Sequence, residues 1–148
     1  MANPRKIVAP LDGVAFRALT FLADGSTIAF SETAPFGTLV AGRAVGLKSG
    51  SANTVELVAA GQDVLGRLDH VESDGVAVVQ VEGECKLPQG NAVTVVVGDK
   101  ITGALGPASA RGYIGPIDTT SAATAASSRH TVLDITTTTA ISVLLGKG

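Results

Sequence analysis

Between Val78 and Leu87 the chain alternates almost without error: Val79, Val81, Gly83, Cys85 and Leu87 fall on one side, Val78, Gln80, Glu82, Glu84 and Lys86 on the other. Successive side chains of a strand point to opposite faces, so the segment reads as a half-buried antiparallel strand, ended by the turn Pro88-Gln89-Gly90-Asn91. Glu82 and Glu84 share the open face two residues apart, a spacing that suits acid/base work or a hard cation. Lys86 continues the same row, which favours a solvated charged face or a cross-strand salt-bridge ladder. A well-specified β scaffold under a chemically plain surface points to a structural or binding role rather than an enzyme.

At 148 residues the chain is the size of one domain, and at that length roughly 68–70% of the unfolded surface can be buried. Aromatics make up 3% of the residues and Trp is missing, so the core must come from Val, Leu, Ile and Ala, and the β-branched excess favours strands. Eleven basic residues stand against 13 acidic ones, for a net charge of −2. No basic cluster exceeds the Arg5-Lys6 pair, which disfavours nucleic acid as a partner. The single cysteine, Cys85, lies on the apolar side of its strand and reads as a small buried hydrophobe, not a reactive thiol. No apolar run approaches the ~20 residues that span a bilayer. Ile7, Val8 and Ala9 after Arg5 and Lys6 are too few for a signal-peptide core. The expectation is a soluble protein made in a cytoplasm, without a membrane partner.

Residues 1–11, with Pro4 and Pro10 and little periodicity, read as an extended arm; residues 12–148 read as one β domain. Asp24-Gly25 between Val14–Leu22 and Thr27–Phe30 predicts a hairpin. Thr38–Lys48 reads as a strand interrupted by Gly42 and Gly46, and Thr54–Ala59 and Val64–Val71 as two more. Val95, Val96 and Val97 predict a strand buried on both faces within Ala92–Val97. Gly and Pro dominate from Gly103 to Asp118, the longest irregular stretch. Ser121–Ser128, rich in Ala, is the one plausible helix, capped by Thr119, Thr120 or Ser121, with a flexible linker as the alternative. Thr131–Ile135 and Ala140–Leu145 close the chain as strands round a Thr-rich turn. The pattern specifies a mainly β protein: a small antiparallel β-barrel or sandwich with an extended N-terminal arm and at most one short helix.

Catalytic signals are weak. Gly61 to Leu68 carries the glycine spacing of a phosphate-binding loop but ends Arg67-Leu68 where a lysine and a hydroxyl are needed, so it reads as a structural turn. His70 lies beside Asp69 and near Glu72, which would share its face only if the strand continues through Val71. His130 reads as an exposed residue at the start of a strand. No residue set calls for a metal or a cofactor.

Taken together, the run Gly61-Gln62-Asp63-Val64-Leu65-Gly66, the turn Asp74-Gly75, Val79-Gln80-Val81-Glu82-Gly83, Gly98-Asp99-Lys100-Ile101 and the final apolar strand Ile141–Leu145 resemble the capsid cement, or head decoration, proteins of tailed phages. The likeness covers roughly Val14 to the C-terminus. It implies a non-enzymatic protein on the outer capsid surface of the virion, as homotrimers at or near threefold positions, bridging subunits of the major capsid protein. The arm, with Asn3, Pro4, Arg5, Lys6, Ile7 and Val8, would reach across a capsid subunit and add a strand to it. Interfaces concentrate energy in Trp, Tyr and Arg; without Trp, the anchors are expected at Arg5, Arg43, Arg67, Arg111 and Tyr113. The alternative is a small-molecule or carbohydrate-binding β module of a larger assembly. Its aromatic platform would have to come from Phe16, Phe21, Phe30, Phe36 and Tyr113. A hydrolase or isomerase built on Glu82, Glu84 or His70 lacks a nucleophile.

Overall fold

The computed structural model describes residues 17–117, 130–137 and 140–146; the N-terminal arm and the expected helix over Ser121–Ser128 lie outside them. The protein is mainly β, with nine strands among the described residues: β1 (Arg17–Ala23), β2 (Ala44–Leu47), β3 (Thr54–Leu57), β4 (Gly66–Val71), β5 (Val76–Leu87), β6 (Ile101–Ala104), β7 (Tyr113–Pro116), β8 (Thr131–Thr137) and β9 (Ala140–Leu145). β1 pairs in parallel with β3 and antiparallel with β5, so β1-β3-β2-β4-β5 closes on itself as a five-stranded barrel. Closure leaves the barrel strands without free edges. β5 outruns the barrel: its last residues, Gly83 to Leu87, pair with Leu145 to Ile141 of β9, which pairs with β8. β6 and β7 form a separate hairpin. These outlying strands make an annex against the barrel wall.

The dyad pattern of β5 is real but bends in the middle. Ala77 and Val79 face the barrel core, while Cys85 and Leu87 face a second core between barrel and annex. The change of direction falls at Gly83, which has a φ of +96°. Gln80, expected on the charged face, is only 4% exposed. Its Nε2 donates to the carbonyls of Glu82 (3.1 Å) and Glu84 (3.0 Å), spanning the bend. The barrel core holds Ile28, Val45, Val55, Leu57, Leu68 and Val71 around that first pair. The second core joins Ala44, Val58 and Val64 on the barrel side to Ile101, Ile114, Val132, Ile141 and Val143 of the annex.

Three local expectations are overturned. Thr27–Phe30 is not a strand and no hairpin forms at Asp24-Gly25. The Asp24 carboxylate instead accepts the backbone N–H groups of Thr27 and Ile28 at 2.9–3.1 Å, together with the Ser26 and Thr27 hydroxyls. Donors bound in this way have left the ladder. Ala92–Val97 is an irregular loop: Val95 is buried, but Val96 and Val97 are 53% and 63% exposed. The Asp99 carboxylate accepts the Val96 N–H (2.8 Å), holding the loop in place of a strand partner. The Gly- and Pro-rich stretch is not irregular throughout, because β6 and β7 pair across it from Ile101↔Pro116 to Ala104↔Tyr113. In addition, the strand expected over Thr38–Lys48 shrinks to Ala44–Leu47.

Candidate functional site

The anchor residues expected from the sequence fall into two groups. Asn3, Pro4, Arg5, Lys6, Ile7 and Val8 lie outside the described residues. Arg43, Arg111 and Tyr113 are brought together where β2 meets the β6–β7 hairpin. The Arg43 guanidinium stands 5.3 Å from the centre of the Tyr113 ring, within cation–π range, and donates to the Arg111 carbonyl (3.3 Å). Arg111 reaches Glu56 at 3.4 Å and the Gln62 side-chain oxygen at 3.3 Å. Arg67 lies apart from this trio in its bonding, paired with Asp69 on its own strand at 2.7 Å. All four side chains are partly buried, and the bonds of Arg43, Arg111 and Tyr113 serve the junction between barrel and annex.

Gln62 holds that junction and was not singled out by the sequence. Its side-chain oxygen accepts Ala59 N–H (2.9 Å), and its amide donates to the Leu47 carbonyl and Glu56 (both 3.2 Å). Its backbone carbonyl accepts from Gly103 N (2.8 Å) and the Thr102 hydroxyl (3.1 Å), which ties the 61–66 loop to β6. The glycine spacing that mimics a phosphate loop therefore has a packing cause. Gly66 opens β4 directly against the Gln80 carbonyl, where a Cβ would overlap that oxygen. As expected, the motif is a structural turn.

A cleft of about 600 Å³ opens at one end of the barrel. Leu19, Leu47, Leu65, Val81 and Ile101 line it, with Arg17, Asp63, Glu82 and His130 among its polar groups. Arg17 and Glu82 form a cross-strand ion pair at 3.3 Å, one rung of the salt-bridge ladder that the alternating row allows. His130 corrects the expectation of an exposed residue: it is 6% exposed. Its Nε2 and the Val64 carbonyl are 2.6 Å apart, and the Gly146 N–H donates to Nδ1 at 3.1 Å. A carbonyl only accepts and an amide N–H only donates, so these partners require the Nε2–H tautomer. The ring pins the start of β8 and the end of β9 to the barrel's 61–66 loop.

The carboxylate and thiol candidates gain little chemistry from their surroundings. His70 and Glu72 do share a face, as the strand continues through Val71, and their side chains meet at 3.0 Å in an open setting. Glu84 and Lys86 face solvent. Burial above all pushes the Cys85 thiol up to about 12, against the pull of Arg67, so the sulfur stays protonated and inert at neutral pH. Among the described residues no cluster of three His, Cys, Asp or Glu side chains is arranged to hold a metal.

The more distinctive surface is apolar. Phe36 and Leu39 are 61% and 81% exposed on the loop between β1 and β2, near the half-exposed Phe30. Val96 and Val97 form a second exposed pair. The sequence offered a signal for the first, two phenylalanines either side of Pro35, but nothing in its periodicity showed that the rings stay outside. Compared with protein-family models and with curated proteins, the chain matches none.

Proposed function

We propose that this chain is a non-enzymatic capsid cement, or head decoration, protein. In this reading it binds the outside of a tailed-phage head as trimers at or near threefold positions and bridges major capsid subunits. The observation that carries the reading beyond the motif resemblance is the placing of large exposed apolar side chains on braced loops, Phe36 with Leu39 and Val96 with Val97. Exposed apolar patches of this kind mark protein contact surfaces. The arm residues Asn3 to Val8 supply a strand to a capsid subunit, where main-chain hydrogen bonds give affinity without large side chains. Binding only to the assembled lattice stabilises the shell by linkage, and many copies let weak contacts hold firmly.

The test is the copy number of this chain relative to the major capsid protein in purified particles of the source phage, by quantitative mass spectrometry. A ratio near one to one supports the reading; absence, or a few copies, rejects it. Deleting Ala2 to Pro10 is expected to leave the protein folded and abolish particle binding. The barrel-mouth cleft favours a second reading, a small-molecule-binding module, because its volume of about 600 Å³ and its mix of aliphatic and polar lining suit a compact ligand with both apolar and polar groups. That reading takes precedence only if the chain is missing from particles.

A further inference from the structure

We propose that the loop between β1 and β2 forms, with the end of β4, a recognition notch for an arginine side chain presented by a protein partner. Phe30 and Phe36 line the same shallow concavity, together with Glu32, His70 and Glu72. Both rings are exposed, and both carboxylates are too. Among the described lining residues there is no lysine or arginine, so the notch combines two aromatic rings with two carboxylates, its one basic group being the His70 imidazole at 3.0 Å from Glu72. The planar guanidinium of arginine fits that pairing better than an ammonium. It stacks on an aromatic face while its fork of N–H donors reaches carboxylates side by side.

The notch is held ready, which separates it from a floppy apolar loop. Ser31 N–H donates to the Gly37 carbonyl (2.8 Å), Gly37 N–H to Ala34 (3.1 Å) and Ala34 N–H to Ser31 (3.2 Å). Val71 N–H donates to the Phe36 carbonyl at 3.0 Å, fastening the loop to β4. Gly37 has a φ of +70°, and a Cβ there would overlap the Val71 carbonyl while crowding the Phe30 ring. Only glycine allows the loop to lie this close to the strand. On the β4 side of the notch the His70 ring meets the Glu72 carboxylate at 3.0 Å. A site preorganised in this way loses little freedom on binding.

The inference stands apart from the capsid reading, since it can be read on the free protein. The full chain is titrated with the blocked tripeptide Gly-Arg-Gly, its citrulline counterpart and its lysine counterpart, following the Phe30, Phe36 and His70 ring signals by NMR. The arginine peptide is expected to shift those signals with millimolar affinity, and the citrulline peptide to leave them in place. Phe36→Ala should weaken the arginine peptide about two- to fivefold, and Glu32→Gln with Glu72→Gln should weaken it further. Unchanged backbone signals in β2 to β5 establish that each variant is folded. Equal shifts from the citrulline or lysine peptide overturn the assignment, as does no response to the arginine peptide, or an affinity that survives all three substitutions.

Discussion

The barrel and the annex use the same residues, Val, Leu, Ile and Ala, yet they are secured differently. In the barrel every strand has a neighbour on both sides, and alternation aims one face at a closed interior. The annex has no closure. β9 and β8 extend from one end of β5, the β6–β7 hairpin is a two-stranded sheet of its own joined to the rest by single bridges such as Gln89↔Ile114, and the core beneath them is shared with the outside of the barrel. Polar groups do there what closure does elsewhere: the buried His130 ties β8 and β9 to the 61–66 loop, and the partly buried Gln62 ties the same loop to β6. A repeating ladder can be written as a periodic sequence. A polar staple is a single residue whose partners are distant in the chain.

The strongest way to break this comparison is to open a cavity on each side of it. Leu68, wholly buried in the barrel core, and Ile141, wholly buried in the second core, should each lose about 2–5 kcal/mol on truncation to Ala. They should differ in where protection is lost. Leu68→Ala is expected to speed amide hydrogen exchange in barrel and annex together, because the annex rests on the barrel wall. Ile141→Ala should speed it in β6 to β9 and in the end of β5, leaving β1 to β4 the more protected. Uniform loss in both variants would mean that the two regions unfold as one unit and that closure confers no separate stability.

A smaller effect sharpens the comparison by touching only a staple. His130→Ala leaves the Val64 carbonyl and the Gly146 N–H without their ring partners, a cost of about 1–3 kcal/mol. Urea unfolding should report that loss, and exchange should localise it to Gly146 and the start of β8. A variant as stable as the parent would remove His130 from the account and leave apolar packing to hold the annex unaided.

The same contrast explains what could be seen in the sequence. The mainly β class, and the strands β3, β4, β5, β8 and β9, follow from alternation and turn residues, because period two is a property of neighbours in the chain. His130 and Gln80 could not be placed that way, since what buries them is Gly146 and Val64 for one and a bend at Gly83 for the other. Val96 and Val97 misled for a related reason: a valine run carries β-propensity, and nothing local says that the Asp99 carboxylate will take the backbone donor. For the candidate site, the Phe30–Phe36 notch needed Gly37 to lie against Val71, a close approach between segments more than thirty residues apart. Arg43, Arg111 and Tyr113 were legible as residues of consequence, but their convergence on one junction was not.

The least effect, and the most specific, concerns the turn that replaced a hairpin at the barrel's edge. Burial acts to raise the Asp24 carboxyl, but the hydrogen bonds from Ser26, Ile28 N–H and Thr27 outweigh it and hold the group below its ordinary 3.8. A carboxyl lowered in the folded state binds fewer protons there than in the unfolded chain. Its stabilisation is therefore fully present above the unfolded value and drains away as pH falls through the folded one. Asp24→Asn keeps an oxygen that can accept from Thr27 and Ile28 but removes the titration. The parent should be the more stable at neutral pH, and the gap between the two should narrow as the pH is lowered below about 4, as measured by urea midpoints across that range. A gap that stays constant would show that the turn depends on the acceptor oxygens and not on their charge. The barrel edge would then be secured as the annex is, by neutral polar contacts, and the distinction between the two regions would rest on closure alone.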